Sequence, residues 1–499
     1  MYISQHEWSQ PRPLPPAATR PAPAPLAQGN LRPAAPCNGL ASLYRRLAAG
    51  SPGEATRAEA AQLLRSQLDA VRHLPCDLPD HVEELAGWMK GHTQGVTARY
   101  SLYLEERQAG APRRFFRSRS HSLHFLRNVA PTKLVDGAWL YGLVAHWHNP
   151  RLSDLVRTYL EELGDGAPGK NHVVLYRQLL TRYGLEPTDD LDDDAYLQGA
   201  VQLARGWKAT DFLPEVIGFN LGYEQLPLHL LVTAYELNEL GIDPYYFTLH
   251  VTVDNADTGH AQRACQAVTD MLPRLGDPSD FWQRVRNGSK LAEVGRSTDA
   301  VIAGFDLDAE VVRMFARKSD AGRGAHSDYC QVAGRKVNDW LSQPEQVPEF
   351  LQALEDAGWI KRGEPAEQSR FWGLLQGDRA QMFGVFSPYE LQLVHDWLRG
   401  PVASADGAPY ATPDKPAPAG RQPSFRAAAR LAQARGQGPL VAGADAQLLD
   451  SDLLALQAAL GRQDEAAQAR LLVDAMSPTH HWTPAGLLAT RIFSERLRA

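Results

Sequence analysis

Most of the chain between residues 80 and 400 carries apolar residues at helical spacing. Apolar positions recur every three or four residues in LSDLVRTYLEELG (152–164), VVLYRQLLTRYG (173–184) and LHLLVTAYELNELG (228–241). Each of these segments ends in glycine, the residue that favours the position just after a helix. This pattern predicts a mainly helical middle region, and the alternating patterns of half-buried strands are scarce.

One segment has a less certain pattern. The run FTLHVTV (247–253) is rich in Val and Thr, which favour strands. It leads directly into a long periodic segment, so we expect a helix that continues through 250–260. The predicted fold class is therefore all-α, a helical bundle with an additional helical C-terminal region and a proline-rich tail and linker.

Proline marks the expected limits of these regions. The chain has 35 prolines in 499 residues, above the usual share of about 5%. They concentrate in two stretches without helical or strand periodicity. The predicted organisation is a disordered tail (1–36), a helical extension (37–84), a metal-binding helical domain (85–300), a small α cap (301–400), a linker (401–424) and a C-terminal helical segment (425–499).

Charge and composition exclude several classes of function. The net charge is −7, from 51 basic and 58 acidic residues, which argues against a dedicated nucleic-acid binder. No run of about 18 apolar residues predicts a membrane span. The first residues lack the pattern of a signal peptide, and four scattered cysteines fit a reducing compartment. We therefore expect a cytoplasmic protein that contacts neither nucleic acid nor membrane.

Carboxylates and histidines inside apolar helical segments are the candidate chemistry, because burying an unpaired charge is costly. Glu162 ends one predicted helix and His172 opens the next, so both can reach one ion, although glutamate at a helix end is ordinary. Glu224 lies among apolar residues and is either a ligand or part of a solvated stripe. Asp136 is more simply explained as a helix cap, with an additional metal carboxylate as the alternative.

The segment HVTVDNADTGH (250–260) carries the densest candidate set. At about 100° per residue, its two histidines and two aspartates fall within a third of a helix circumference; they are His250, Asp254, Asp257 and His260. Imidazole and carboxylate together favour iron or manganese over calcium. A solvent-facing stripe is the alternative, but the flanking apolar residues favour metal ligands.

At these residues the sequence resembles the haem-oxygenase-like diiron oxidases and oxygenases, the iron-containing redox enzymes. The resemblance covers roughly 85–290, with weaker similarity through 400. Its motifs are LVDGAWL (134–140), ELGDGAPGKNH (162–172), GFNLGYEQ (218–225) and HVTVDNADTGH (250–260). The last motif departs from the commonest spacing, so one alignment takes His250 with Asp254 and another takes Asp257 with His260.

The resemblance implies a haem-oxygenase-like fold without haem, two Fe(II) ions and O2 as co-substrate. It implies Glu224, and secondarily Glu162, as bridging carboxylates that take part in catalysis, with histidines as terminal ligands. The implied reactions are N-oxygenation, desaturation or C–C cleavage of a small amino-acid-like or fatty-acid-like substrate. The implied ligands are Glu162, His172, Glu224, His250, Asp254, Asp257 and His260, with Asp136 as an additional candidate.

Other interpretations stay open at this point. The same fold with a mononuclear or loosely assembled metal site is one alternative, and a non-enzymatic helical binding protein is another. Arg113, Arg114 and Arg117 could clamp a substrate carboxylate, although a solvated basic surface is the simpler explanation. An external electron donor and a homodimer are both compatible with the sequence.

Overall fold

The computed structural model describes residues 39–185, 191–253, 259–376, 380–400 and 450–498. These residues form helices almost throughout, which confirms the predicted all-α class. The strands in this part of the chain are β1 (Gln331–Val332) and β2 (Arg335–Lys336), which pair antiparallel. The predicted tail (1–36) and linker (401–424) lie outside the described residues.

The α-helices up to residue 290 include all those that carry candidate ligands. They are α1 (Leu40–Ala48), α2 (Glu54–Val71), α3 (Leu85–Gln108), α4 (Arg119–Asn128), α5 (Ala130–Lys133), α6 (Tyr141–Val144), α7 (Ser153–Glu162), α8 (His172–Tyr183), α9 (Leu197–Trp207), α10 (Leu213–Tyr223), α11 (Leu228–Glu239), α12 (Tyr245–Val253), α13 (His260–Met271) and α14 (Ser279–Lys290).

The later α-helices surround this set. They are α15 (Thr298–Ala303), α16 (Leu307–Gly322), α17 (Val337–Leu341), α18 (Val347–Asp356), α19 (Arg370–Leu375), α20 (Pro388–Arg399), α21 (Ser451–Leu460), α22 (Glu465–Ala475) and α23 (Pro484–Arg498). Short 3-10 helices lie at Val82–Glu84, Ala138–Leu140, Pro150–Leu152, Gly164–Gly166, Asp193–Tyr196, Leu291–Glu293, Pro344–Gln346 and Ala366–Gln368. No helix in the described ranges is both long and apolar enough to cross a bilayer.

The buried apolar side chains form two large clusters. The first joins α1, α2, α7, α9, α10, α13 and α14 to the C-terminal helices α21 to α23. The second joins α4, α8, α11 and α12 to the helices between residues 301 and 399. The predicted division at residue 300 stays a prediction, and apolar side chains from both sides of it share the second cluster.

The helical prediction for FTLHVTV is confirmed, since α12 covers Tyr245–Val253. The expectation of one continuous helix through 250–260 is wrong. Gly259 has an extended backbone (φ −87°, ψ −165°), and His260 is the first residue of the separate helix α13. His250 and His260 therefore do not share a face of one helix. They belong to different helices, and each helix can approach the same point from its own side.

The basic segment 113–117 has a structural role. Glu236 is fully buried in α11 and accepts hydrogen bonds from the backbone N–H groups of residues 114, 115 and 116 and from the Tyr103 hydroxyl. Arg113 donates to the Phe116 carbonyl at 2.8 Å and faces Glu239 at 3.9 Å. Arg113 is therefore only 12% exposed, unlike the solvated basic surface favoured from sequence, whereas Arg114 and Arg117 are exposed.

Candidate metal centre

Six candidate ligands converge where helices of the two apolar clusters meet. Each is at most 7% exposed. They form two overlapping groups of side chains whose ligand atoms lie within 4.8 Å of one another. The first group is Asp136, Glu162, His172 and His250, and the second is Glu162, Glu224 and His260. Glu162 is the carboxylate that the two groups share.

Helix ends deliver most of these side chains. Glu162 is the last residue of α7, and His172 is the first residue of α8. The Asn171 side chain accepts the Val174 N–H at 3.0 Å and so fixes where α8 begins. Glu224 directly follows α10. Helix ends leave the backbone free to turn, so ligands from distant parts of the sequence can meet.

The first group is arranged around Asp136. His172 Nδ1 lies 2.6 Å from Glu162 Oε2 and 3.8 Å from Asp136 Oδ2, and His250 Nε2 lies 3.0 Å from Asp136 Oδ2. His172 Nδ1 and Asp136 Oδ1 have no geometrically acceptable hydrogen bond among the described residues. Atoms that ligate one cation lie close together without forming hydrogen bonds to one another. Buried polar atoms without a hydrogen-bond partner otherwise need an explanation. These residues therefore fit a bound metal ion.

The second group is built on His260. Its Nδ1 lies 3.0 Å from Glu224 Oε2 and 3.2 Å from Glu162 Oε1. Its Nε2 lies 2.9 Å from Glu161 Oε2 on the opposite side of the ring. When Nδ1 binds a metal, Nε2 carries the proton and donates it to Glu161. A carboxylate behind a histidine in this way fixes the ring and strengthens the ligand.

Glu161 is held in place by two arginines. Arg157 Nε donates to Glu161 Oε1 at 2.9 Å, and Arg263 pairs with Glu161 Oε2. Burial alone would raise the pKa of Glu161, but the hydrogen bond from His260 and the charge of Arg263 lower it to about 2. Glu161 is thus a carboxylate at neutral pH and a constant acceptor for His260.

His250 has a similar support from the backbone. Its Nδ1 lies 2.8 Å from the Tyr246 carbonyl, which only accepts, so Nδ1 carries the proton and Nε2 keeps its lone pair. The Tyr246 hydroxyl donates to Asp136 Oδ2 at 2.6 Å. Both contacts orient first-group ligands before any ion binds.

Gly137 allows the Asp136 segment to approach Glu162. Its φ is +79°, and a Cβ there would lie 2.9 Å from Glu162 Cβ. A side chain would therefore be strained and would push the two carboxylates apart. The capping interpretation of Asp136 is wrong: the following 3-10 helix has Gly137 as its N-cap without a side-chain cap, and the carboxylate points to the histidines instead.

The C-terminal helices brace the loop between Glu162 and His172. Asp165 has a positive φ of 52°, which is uncommon for a residue other than glycine. Its carboxylate receives hydrogen bonds from Arg157, from Ser494 at 2.9 Å and from Arg498 at 2.8 Å. These bonds hold a strained turn in place.

The same loop contacts the C-terminal helices at a second point. Asn171 Nδ2 lies 3.2 Å from Nδ1 of the buried His481. A Cβ at Gly166 would lie 2.3 Å from the Leu487 carbonyl, so the loop packs directly on α23. Residues from 450 onward thus support the segment that presents Glu162 and His172.

A lysine stands beside the ligands. Lys133 Nζ lies 5.6 Å from the ring centre of Tyr223 and 5.8 Å from that of Tyr246. Burial alone would lower the pKa of its ammonium, but Tyr223, Asp136 and Glu162 together raise it. Burial also lowers the pKa of the nearby His229 to about 4, with a further contribution from Lys133. At neutral pH Lys133 is charged and His229 is neutral.

The structure thus brings together six of the sequence-predicted residues: Asp136, Glu162, His172, Glu224, His250 and His260. The other two, Asp254 and Asp257, lie outside the described residues, so their roles stay predictions. Sequence reasoning missed Glu161, because a pair of adjacent glutamates at a helix end carries no spacing signal. It also missed Tyr246 and Lys133, whose neighbours are distant in sequence.

Comparison with known proteins agrees with this site. Residues 123–293 match the model of a family described as iron-containing redox enzyme, and the match includes every ligand of both groups. The predicted resemblance is therefore confirmed over these residues, and the helical architecture is consistent with the haem-oxygenase-like fold. The family supports an oxidoreductase that contains iron. No curated protein and no solved structure matches the chain significantly.

Proposed function

We propose that this protein is a non-haem diiron oxidase or oxygenase that uses O2 to oxidise a small amino-acid-like or fatty-acid-like substrate. The observation that carries the proposal is the position of Glu162, whose two oxygens face separate sets of ligands: Oε2 lies 2.6 Å from His172 Nδ1 and Oε1 lies 3.2 Å from His260 Nδ1. A carboxylate between two such sets is how helical bundles bridge a pair of metal ions.

The donor chemistry supports iron. Each group combines imidazole with carboxylate, a mixture that suits iron or manganese, whereas calcium prefers oxygen donors alone. The geometry differs in one respect from the resemblance, which put Glu224 first as the bridging carboxylate. Glu224 belongs to the second group alone, so we assign the bridge to Glu162 and a terminal role to Glu224.

The first metal would be held by Asp136, His172, His250 and Glu162, and the second by Glu162, Glu224 and His260. When bound, two Fe(II) ions would supply electrons for the reduction of O2. The protein would contribute ligand orientation, because Glu161 accepts a hydrogen bond from His260 Nε2–H and the Tyr246 carbonyl accepts one from His250 Nδ1–H. Burial of all six side chains keeps bulk water away from the centre.

A mononuclear or loosely assembled metal site stays a second candidate, because the two groups differ in their number of ligands. The first has four ligands and the second has three among the described residues. We propose that Asp254 or Asp257, which lie between His250 and His260 in sequence, completes the second group. If neither does, the second ion would bind more weakly and leave more readily.

Iron stoichiometry tests the proposal. The full chain, loaded anaerobically with Fe(II) and desalted, should hold two irons by elemental analysis. Glu162→Ala should lose both, because both groups use this residue, whereas His260→Ala should lose one. Glu239→Gln removes a partly exposed carboxylate that pairs with Arg107 and belongs to neither ligand group, and it should keep two irons. Wild-type iron content in Glu162→Ala would contradict the shared bridge.

Reaction with O2 provides the second measurement. The loaded protein, mixed rapidly with O2, should consume it and show a transient visible absorption band. The His260→Ala variant should lose this band while keeping one iron. An iron-loaded protein that does not consume O2 would refute the oxygenase assignment. A protein that holds one iron per chain and still consumes O2 fully would favour the mononuclear alternative.

A further inference from the structure

Lys133 is a cation without an anionic partner at the edge of the candidate metal centre. No carboxylate among the described residues lies within 4.0 Å of its Nζ. The nearby arginines differ, because Arg157 and Arg263 both pair with Glu161. Lys133 is partly buried, and an ammonium that has lost part of its water shell is stabilised by an anionic partner. No carboxylate of the described residues fills that role by direct contact.

Tyr223 offers a second unused donor on the same side. Its hydroxyl oxygen accepts from Gln202 Nε2 at 3.1 Å and from the Lys133 ammonium, which leaves its own proton free to donate. No acceptor for that proton is found in the described part of the chain. Tyr223 and Lys133 are both only partly buried, whereas the adjacent ligands Glu224 and Asp136 are buried. The two donors thus lie on the more accessible side of the centre.

We propose that Lys133 Nζ and Tyr223 Oη bind the carboxylate of the substrate, which makes the substrate a small organic carboxylate held beside the metal ions. The inference rests on the proposed function, since it places the substrate at that same centre. An ammonium and a hydroxyl together satisfy both oxygens of a carboxylate with charge-assisted hydrogen bonds.

The charge of the loaded centre supports an anionic substrate. The two groups contain three carboxylates and neutral histidines. Two divalent ions would balance these three carboxylates together with the fourth that we propose for the second group, so Lys133 would add one uncompensated positive charge. His229, which lies near Lys133, is neutral, and Leu134 and Leu228 add partly buried apolar surface. An anionic head with an apolar body complements these surroundings.

Two of the three arginines considered from sequence as a carboxylate clamp have other contacts. Arg113 is bonded to the Phe116 carbonyl and faces Glu239, and the guanidinium of Arg114 lies over the Phe115 ring. Neither side chain forms a hydrogen bond or ion pair with a ligand of the centre in the described part of the chain. Lys133 replaces them as the candidate because it ends α5 three residues before the ligand Asp136.

Equilibrium dialysis of the full-length, anaerobically iron-loaded protein tests the anchor. The probes are radiolabelled butanoate, octanoate and L-norleucine, and octanamide as the uncharged counterpart of octanoate. At least one carboxylate should bind, and octanoate, if bound, should bind more tightly than octanamide. Lys133→Met should weaken carboxylate binding about tenfold to a hundredfold and leave octanamide binding unchanged. Tyr223→Phe should weaken it by a smaller factor.

Two controls separate recognition from damage to the fold. Lys133→Arg keeps the charge and should restore most of the binding, and Lys170→Met removes an exposed lysine from the nearby loop and should change nothing. Iron content, measured on the same samples, should equal that of the wild type. Absence of binding by all three carboxylates, or equal affinity in wild type and Lys133→Met, would overturn the proposal.

The dialysis also distinguishes this inference from the proposed function. Repeating it with metal-free protein shows whether the carboxylate needs Lys133 or only the ions. Lys133-dependent binding in a protein that takes up no stoichiometric iron would sustain the anchor and refute the diiron centre. Two bound irons together with equal carboxylate binding in wild type and Lys133→Met would support the diiron centre and refute the anchor, because the metal alone would then bind the probe.

Discussion

Replacing Glu161 by glutamine should weaken one metal position and spare the other. Glu161 binds no metal in our assignment, but its Oε2 accepts the His260 proton at 2.9 Å. Glutamine keeps the shape and loses the charge. Its amide would also turn N–H groups toward Arg157 or Arg263, both of which now pair with Glu161. The His260 ring would lose its fixed orientation behind the second group of ligands.

The size of the effect follows from the exposure of the contact. Changes to residues behind a histidine ligand typically cost 10- to 100-fold in metal affinity, and a hydrogen bond to a charged group contributes about 1.5–3 kcal/mol. The Glu161 side chain is 27% exposed, so water reduces its contribution. We therefore expect the lower part of the range, about 1.5–2 kcal/mol, or roughly a 10- to 30-fold weaker second site.

Competition with a coloured Fe(II) chelator under anaerobic conditions measures this loss. Two irons should leave the wild-type protein in two steps, and Glu161→Gln should shift only the step assigned to Glu224 and His260. Glu239→Gln is the matched control, because Glu239 is 24% exposed and also pairs with an arginine, Arg107. Unchanged affinity in Glu161→Gln, or equal weakening of both steps, would refute the reasoning.

Four further predictions concern stability and protons. In the metal-free chain, burial would lower the pKa of His172, but the carboxylates of Glu162 and Asp136 outweigh burial and raise this pKa. Burial would raise the pKa of Glu162, but His172 and His260 outweigh burial and lower it. This pair should therefore stabilise the metal-free chain fully only between the ordinary pKa values of glutamate and histidine, 4.5 and 6.5. Thermal unfolding against pH measures the stability difference between wild type and His172→Gln. That difference should fall as pH drops below this window or rises above it. Calorimetry in buffers of different ionisation enthalpy should also detect proton release when metal binds at pH 7. Gly166→Ala should cost about 3 kcal/mol in urea unfolding, because the new methyl group meets the α23 backbone. Glu236→Gln should cost about 3 kcal/mol, since three backbone N–H groups lose a charged acceptor, and a stability equal to wild type would contradict that account.

The sequence predicts the helical class and most ligands, because both depend on local signals. Periodicity fixes α7 and α8, and a polar residue at each facing helix end is visible from spacing alone. The break before His260 was missed, since a run of helix-compatible residues does not show that Gly259 adopts an extended backbone. Only the tertiary structure brings α12 and α13 to the ligands from different directions.

The supporting residues could not be predicted for a different reason. Glu161 and His260 are 99 positions apart, and Tyr246 and Asp136 are 110 apart. No periodicity links residues at such separations. Lys133 also looks like an ordinary lysine at a helix end until Tyr223 and Tyr246 are seen beside it. A buried contact between distant residues depends on the packing of whole helices, which a single sequence does not reveal.

The spread of the ligands along the chain also governs when the centre can form. Asp136 and His260 define a span that a growing polypeptide must complete before both groups exist. A partly synthesised chain that ends before residue 260 has at most one group, and the loop bearing Glu162 still lacks the bracing of His481 and α23. Under the proposed function, a pair of redox ions would therefore bind tightly only in a nearly finished protein. The order in which the ligands emerge would then delay the contact of such ions with O2 until most of the chain has been made.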